Sequence, residues 1–533
     1  MKKLLLLGDE AIAQGGLDAG ISGIYAYPGT PSTEIMEYVQ GSSEAAERNI
    51  QREWSANEKT ALEASLGLAY TGKRAMVCMK HVGLNVAADP FMNSALTGVN
   101  GGLVIVVADD PSMHSSQNEQ DSRYYGKFAL IPVLEPSNQQ EAYDMTYAGF
   151  DLSEKYKIPV MLRITTRLSH SRAGIKTKEK KREKKLVLPE DPGQFILLPT
   201  FARIRYKGLL ALQPNLRKEA EESPFNVYFD GKDRSFGIIA CGIAYNYVME
   251  NYPDRIIPYP LLKISQYPFP VEMIRKITET CTAVLVLEDG YPFLEEMLIG
   301  LQKKGIPVKG RLDGTIPRDG ELNPNIVSDA LGIGYEKGKP VPGLVTNRPP
   351  ALCKGCSHAD LFTALNETLR KYKPGRVFSD IGCYTLGALP PFNSINTCVD
   401  MGASVTMAIG AADAGLIPSI AVIGDSTFTH SGMTGLLDAV NKNSPVTIII
   451  SDNSTTGMTG GQKSSATGRL ESICTGIGVN PAHVRVLNPL RKEHETNVAI
   501  IKEEIEYRGV SVVIAQRECI QTAARRKRKA KQK

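Results

Sequence analysis

The sequence predicts an α/β protein of three consecutive α/β domains with mostly parallel sheets, and three observations point there. Apolar, β-branched runs at Gly23–Tyr27, Ala75–Met79, Leu103–Ala108 and Val160–Ile164 each end in a polar or Gly/Pro turn, the alternation of βα units in a parallel sheet. The same alternation returns at Phe236–Ala240 and Ala283–Leu287, and again beyond residue 351. A chain of 533 residues, 42% of them hydrophobic, is long enough for three or four cores at roughly 100–200 residues each. The composition excludes a disordered, fibrous or repeat chain, and no apolar run approaches the ~18–20 residues of a membrane helix. Gly8-Asp9-Glu10 ends the apolar start Leu4–Leu7 too soon for a secretory signal, so the expected location is the cytoplasm.

Taken in order, residues 1–175 form the first domain. Ligands of parallel sheets collect at the C-terminal strand ends, which puts Tyr27–Thr33, Lys80-His81-Val82-Gly83 and Asp109-Asp110-Pro111-Ser112 near one rim. A helix opens in the stretch Arg52–Lys59 and runs to about Tyr70. Ser55-x-x-Glu58 reads there as a capping box, with Glu58 at the third helical position. The run Lys176–Lys185 (KTKEKKREKK) opens a charged linker region, 176–229, expected to be solvated. Residues 230–337 form a second α/β domain without a cluster of catalytic residue types, so its expected role is structural. A Pro/Gly-rich linker, 338–350, leads to the third domain, 351–520. A basic tail, 521–533, ends in RRKRKAKQK. The net charge of +5 is concentrated in these two basic blocks, which are solvated segments or a landing site for an acidic partner. Aromatic residues are not interleaved with them and no nucleic-acid motif is present, so neither nucleic acid nor membrane is an expected partner.

The third domain carries the chemistry. Ser419–Ile423 is a strand ending in Gly424-Asp425-Ser426; a helix follows from Gly432 to about Asn441, then a second strand, Val446–Ile450, ending in Asp452-Asn453. A right-handed crossover sets the strands parallel, so Asp425 and Asn453 emerge at one edge. Two hard oxygen donors there suit a Mg²⁺ that also binds phosphate oxygens, and Gly457, Gly460 and Gly461 follow in a loop able to wrap a ligand. Singly, these residues are ordinary turns after strands. Cys353-Lys354-Gly355-Cys356 is a C-x-x-C turn, Cys383 follows the strand Arg376–Ile381, and Cys519 lies just past the strand Val512–Ala515. Four thiolates converging on one edge serve a 4Fe–4S cluster or tetrahedral zinc. Cys78, Cys241, Cys281, Cys398 and Cys474 read as buried apolar residues.

Gly-Asp followed by Asn at this distance resembles the thiamine diphosphate motif. The chain as a whole resembles the 2-oxoacid:ferredoxin oxidoreductases, and within them the alpha subunits of the indolepyruvate branch. The matching stretches are Tyr27–Glu34 (YPGTPSTE), Trp54–Lys59 (WSANEK), Asp110–Arg123 (DPSMHSSQNEQDSR), Ser379–Gly387 (SDIGCYTLG), Gly424–Gly432 (GDSTFTHSG) and Asp452–Gln462 (DNSTTGMTGGQ). The resemblance implies pyrimidine-type and diphosphate-type domains flanking a transketolase C-terminal-like one. It implies thiamine diphosphate held by Glu58 on the aminopyrimidine and by Gly424, Asp425, Ser426, Asn453, Thr455 and Gly457 at the diphosphate end, with Mg²⁺ on Asp425, Asn453 and the Thr455 carbonyl. Thr30 would lie beside the substrate. One 4Fe–4S cluster would sit on Cys353, Cys356, Cys383 and Cys519. Arg123 is either a bidentate fork for the substrate carboxylate or a surface salt-bridge partner. For His81, His114, His358 and His430 the expectation is packing or capping.

The implied activity is oxidative decarboxylation of an aryl 2-oxo acid with coenzyme A, giving acyl-CoA and CO₂, with electrons passed to ferredoxin. A sister enzyme for pyruvate or branched-chain 2-oxo acids, and a non-oxidative thiamine-dependent decarboxylase, are the alternatives. The implied partner is a smaller beta subunit in a hetero-oligomer. Many members of the family continue into a ferredoxin-like domain; here the basic tail follows Cys519 closely, so the clusters of that domain are not expected.

Overall fold

The most apolar run of the first segment, Leu103–Asp109, is a strand buried along its whole length, as a parallel strand covered on both faces must be. It lies at the centre of a six-stranded sheet ordered Gln266–Tyr267, Val133–Leu134, Val160–Thr165, Leu103–Asp109, Ala75–Lys80, Gly23–Ala26. All neighbours pair parallel except Gln266–Tyr267, which joins antiparallel to Val133–Leu134. A second, five-stranded sheet holds Gly237–Cys241 between Val284–Leu287 and Leu261–Ile264. The computed structural model describes residues 2–191, 193–301, 305–335, 338–346 and 350–532. The chain divides into two compact units, Met1–Lys339 and Pro340–Lys533.

Within the first unit the two sheets share their cores: Leu162 and Ile164 belong to one buried cluster with Ile238 and Leu285. The middle region is thus packed onto the first, and its strand Gln266–Tyr267 completes the first sheet. The expectation of a charged linker over 176–229 is corrected. Arg172–Lys176 pairs antiparallel with Lys3–Leu7, and the next residues are laid along the unit's surface. The Lys181 amide donates to the Asp18 carbonyl and the Val187 amide to the Thr71 carbonyl, while Glu183 accepts from Ser22 and Lys184 pairs with Glu154. Gly20 and Gly72 make room for this strap. Both have positive φ, and a Cβ at either would lie 2.8–2.9 Å from a strap carbonyl. A 23-residue helix, Pro199–Glu221, follows. The run is charged because its partners are acidic groups of its own domain.

The second unit is built on an all-parallel sheet ordered Val377–Ser379, Ser419–Gly424, Val446–Asp452, Ser511–Gln516, Val484–Leu487. Alternate residues feed opposite faces: Ala421, Ile423, Ile448 and Ile450 enter one buried cluster, Ile420, Val422 and Ile449 the other. The register sets Gly424 opposite Ser451 and Asp452 opposite Gln516, which brings three strand ends level. The basic tail expected over 521–533 is a helix, Ile520–Gln532. Arg525 in its second turn donates to the Gly460 carbonyl. None of the described helices is long and apolar enough to cross a membrane.

Candidate active site

At the level strand ends of the second unit, Asp425 follows Ser419–Gly424, and Asn453 follows Val446–Asp452. The approach is close: a Cβ on Gly424 would lie 2.6 Å from the Tyr384 ring. Tyr384 is held from behind by donating to Asp380, which also accepts from Ser404. Asp425 is 2% exposed and its Oδ2 is buried without a hydrogen-bond partner. Burial, reinforced by the nearby charge of Asp452, pushes its carboxyl up to about 7. Asp452 is satisfied by neutral donors, the Ser454 amide and the Gln516 amide group. A buried carboxylate facing a second one, with an oxygen left over, calls for a cation. The residues present therefore fit the Mg²⁺ of a diphosphate site. Asn453 accepts from the Thr455 amide, and Ser426 bonds Thr456, so the returning loop is tied to the same edge.

The four cysteines singled out in the sequence are brought together. Cys353, Cys356, Cys383 and Cys519 line one cavity of about 190 Å³, with His358 and Asn453 in the same wall. The C-x-x-C turn is closed by the Cys356 amide donating to the Cys353 carbonyl, and the Cys519 amide donates to the Asn453 carbonyl. The loop glycine Gly457 approaches so closely that a Cβ there would lie 3.0 Å from the Cys383 sulfur. Burial, with the neighbouring thiols, pushes Cys383 up to about 12; a bound metal reverses that preference.

His358, expected to pack or cap, is part of this wall. It is buried, its Nδ1 lies 2.6 Å from the Ser451 hydroxyl, and the Asn453 amide group lies 3.3 Å from its Nε2. An amide that donates to Nε2 leaves the ring proton on Nδ1, donating to Ser451; burial holds the ring at about 4, neutral near pH 7. The signal available in the sequence was its place two residues after Cys356. His81 bonds the Asn118 carbonyl, His430 the Ser431 hydroxyl, and His114 lies 3.4 Å from Glu321.

In the first unit Glu58 is buried at the rim, and its expected cap role is corrected. The N-cap is Asn57, whose side chain accepts from the Thr60 amide, so Glu58 is the first helical residue rather than the third. The strand Gly23–Ala26 decides this. Gln51 and Trp54 bridge to it and the Ser55 amide donates to the Ala26 carbonyl, which holds residues 51–55 extended and out of the helix. Gly83 makes room for the carboxylate, since a Cβ there would lie 2.6 Å from Glu58 Cγ and Oε1. Lys80, placed at this rim by the sequence but given no role, is lowered to about 8 by burial, against the pull of Asp110 and Glu58. It donates to the Ser115 carbonyl, and the Ser115 hydroxyl in turn donates to the Thr30 carbonyl.

Arg123 is neither a substrate fork nor a surface partner. Its side chain is fully buried, and it donates to Asp121, Glu288 and the Tyr291 carbonyl. Beside it Arg163 donates to Asp109, Glu135 and the Asp289 carbonyl. The partners at 288–291 follow the second-sheet strand Val284–Leu287 and lie 126 to 168 residues from the arginines, so sequence spacing could not reveal that these arginines hold the unit together.

Two family models match: "Pyruvate flavodoxin/ferredoxin oxidoreductase, thiamine diP-bdg" over residues 14–201, and "Thiamine pyrophosphate enzyme, C-terminal TPP binding domain" over 380–515. The curated indolepyruvate oxidoreductase subunit IorA of Archaeoglobus fulgidus is 39% identical, over 97% of this chain and 86% of its own length. That of Methanothermobacter thermautotrophicus is 36% identical, over 97% and 87%. The 2-oxoglutarate synthase subunit KorA of Methanothermobacter marburgensis is 29% identical over 37% of this chain and 53% of its own. A solved 2-oxoglutarate:ferredoxin oxidoreductase from Magnetococcus marinus shares the fold at TM-score 0.50 and 17% identity, over 62% of this chain and 65% of its own. Fold and site together define an oxidoreductase subunit of the thiamine diphosphate-binding α/β class. Within that class, the chain belongs to the indolepyruvate oxidoreductase subunit IorA family.

Proposed function

We propose that this chain is the catalytic subunit of an enzyme that oxidatively decarboxylates an aryl 2-oxo acid with coenzyme A, passing electrons to ferredoxin in the cytoplasm. The reading rests on the family. The observation that carries its oxidative part is the four-cysteine cavity, which shares Asn453 with the Asp425 strand edge. Bound thiamine diphosphate supplies the nucleophilic carbon and the electron sink of the decarboxylation. Asp425, Asn453 and the Thr455 carbonyl would hold Mg²⁺ and through it the diphosphate, with Gly424, Ser426 and Gly457 giving the backbone access. Glu58, wedged against Gly83, would hold or release a proton on the aminopyrimidine. Thr30 would stand beside the substrate, and Lys80, poised near 8, offers a positive charge on the same rim to a 2-oxo carboxylate. Cys353, Cys356, Cys383 and Cys519 would hold one 4Fe–4S cluster as the one-electron relay, a task redox-inert zinc cannot perform. A smaller beta subunit would complete the enzyme.

The test is anaerobic co-purification with that subunit, followed by iron and sulfide analysis and a panel of 2-oxo acids with coenzyme A and ferredoxin. Four irons per chain and preference for arylpyruvates are expected, with iron lost in Cys519→Ala. Stoichiometric zinc without iron would overturn the oxidative reading, and preference for pyruvate the substrate reading.

A further inference from the structure

A second acidic cluster lies in the first unit, at the start of the helix Gly8–Asp18. Asp9 is completely buried, yet neither of its carboxylate oxygens has a hydrogen-bond partner. Two more ligand-bearing groups converge on it. Glu34 comes from the first turn of the helix Thr33–Gly41, and its Oε2 is buried and without a hydrogen bond. His170 comes from the end of the short helix Thr166–His170, with Nε2 3.6 Å from that oxygen. One ligand atom from each of the three residues lies within 4.8 Å of the other two. Glu10 also repels a charge on Asp9; the nearby cationic groups are His170, which holds the Glu34 carboxyl below its usual range, and Arg172, which pairs with Glu10, while among the described residues no lysine or arginine pairs with Asp9 or Glu34. The buried Ser169 hydroxyl lies beside Asp9 and only partly offsets the cost of its burial. The backbone is shaped for this meeting. Gly8 lies against the Leu168 carbonyl where a Cβ could not fit, which brings the end of the short helix onto the start of the first one.

A proton shared between Asp9 and Glu34 would settle one of these oxygens and leave the others in a dry site without a partner. One imidazole nitrogen and two carboxylates are instead a donor set for a divalent cation of the borderline class. The partly exposed His170 and Glu34 leave its remaining positions to water. We propose that Asp9, Glu34 and His170 bind one divalent cation of the zinc class, which clips together the helices Gly8–Asp18, Thr33–Gly41 and Thr166–His170. Glu34 lies four residues beyond Thr30, so the clip also anchors the end of the Tyr27–Ser32 rim loop.

The test uses the full chain in complex with its partner subunit, prepared anaerobically, treated with a chelator and titrated with Co²⁺ and then Zn²⁺. Wild type is compared with Asp9→Asn, which keeps size and shape, and with His170→Gln at a partly exposed position. Wild type is expected to take up about one more equivalent of Co²⁺ than either variant. Its difference spectrum should show d–d bands without sulfur-to-cobalt charge transfer, which excludes the cysteine cavity as the source. Zn²⁺ should displace the Co²⁺ and raise the thermal midpoint of wild type only. Equal uptake in all three proteins would overturn the proposal and leave Asp9 a protonated core acid. Sulfur-type bands in the difference spectrum would overturn it as well, by assigning the ion to the cysteines.

Discussion

At the strand ends of the first unit, Asp109, Asp121 and Glu135 face Arg163 and Arg123, all buried and paired. At the strand ends of the second, Asp425 and Asp452 are equally buried, the charge of Asp452 adds to the burial that raises Asp425, and among the described residues no lysine or arginine pairs with either. Both rims are acidic and both lie at the C-terminal edge of a parallel sheet, where ligands collect. The difference is who supplies the positive charge. In the first unit the chain does, from Arg163 on a strand of the first sheet and Arg123 on the helix Arg123–Ala129, and the carboxylates are committed to holding the unit together. In the second no arginine or lysine among the described residues does so, and Asp425 keeps one buried oxygen without a partner. An acidic strand end is a functional site where the protein leaves its charge unanswered.

Glu58 is the first unit's exception, a buried rim carboxylate beside a lysine weakened by burial rather than beside an arginine. Its replacement should have the largest consequence. Glu58→Gln is expected to cut turnover by ~10²–10⁴-fold while thermal stability and cofactor binding change little; near wild-type turnover would reduce Glu58 to a packing residue.

Breaking the answered charges comes next. Arg163→Met strands Asp109 and Glu135 and should cost about 3–5 kcal/mol, read by urea unfolding, with cofactor affinity unchanged wherever the variant remains folded. A loss below 1 kcal/mol would mean that the network is not what holds the two sheets together.

The opposite pattern is expected at the other rim. Asp425→Asn should weaken thiamine diphosphate binding by ~100-fold or more at millimolar Mg²⁺, measured by titration calorimetry. In chelator without cofactor it should make the protein slightly more stable, because a repelled carboxylate with one buried oxygen left unpartnered is gone. If the apo protein were instead destabilised, Asp425 would have an internal partner and the contrast between the rims would fail.

The smallest effect separates burial from pairing inside the first unit. Burial raises Asp289 to about 6 despite the nearby Arg163. A carboxyl raised on folding contributes stability below its ordinary value of ~4 and loses that contribution as pH climbs through the folded value. Asp289→Asn should therefore match wild type near pH 4 and become progressively more stable than it as pH rises to about 6. A flat difference across that range would show Asp289 ionised throughout and fully paired with Arg163.

Much of the second unit was legible from its sequence, because its site is assembled from neighbouring strands of one sheet. Once Ser419–Gly424 and Val446–Asp452 are read as parallel, Asp425 and Asn453 must share an edge, and the turn at Cys353–Cys356 needs only two further strand ends to gather four thiols. His358 was harder to read, since a lone histidine has many uses and only the cavity shows which one this is.

What the sequence alone determined is the α/β class, the strand ends that carry chemistry and the identity of the groups placed there, because these follow from local apolar periodicity and from turns of a few residues. Only the tertiary structure decided whose charges are answered. Arg123 meets Glu288 and Tyr291 across some 165 residues. The basic run from Lys176 becomes a strap because acidic groups of its own unit lie beneath it. Asn57 rather than Ser55 caps the helix because residues 51–55 are bound to a strand. Asp9 meets Glu34 and His170 only through the close approach that Gly8 permits. Each of these depends on a long-range contact, and the energy that settles it, burial of a charge with or without its partner, has no counterpart in a local pattern.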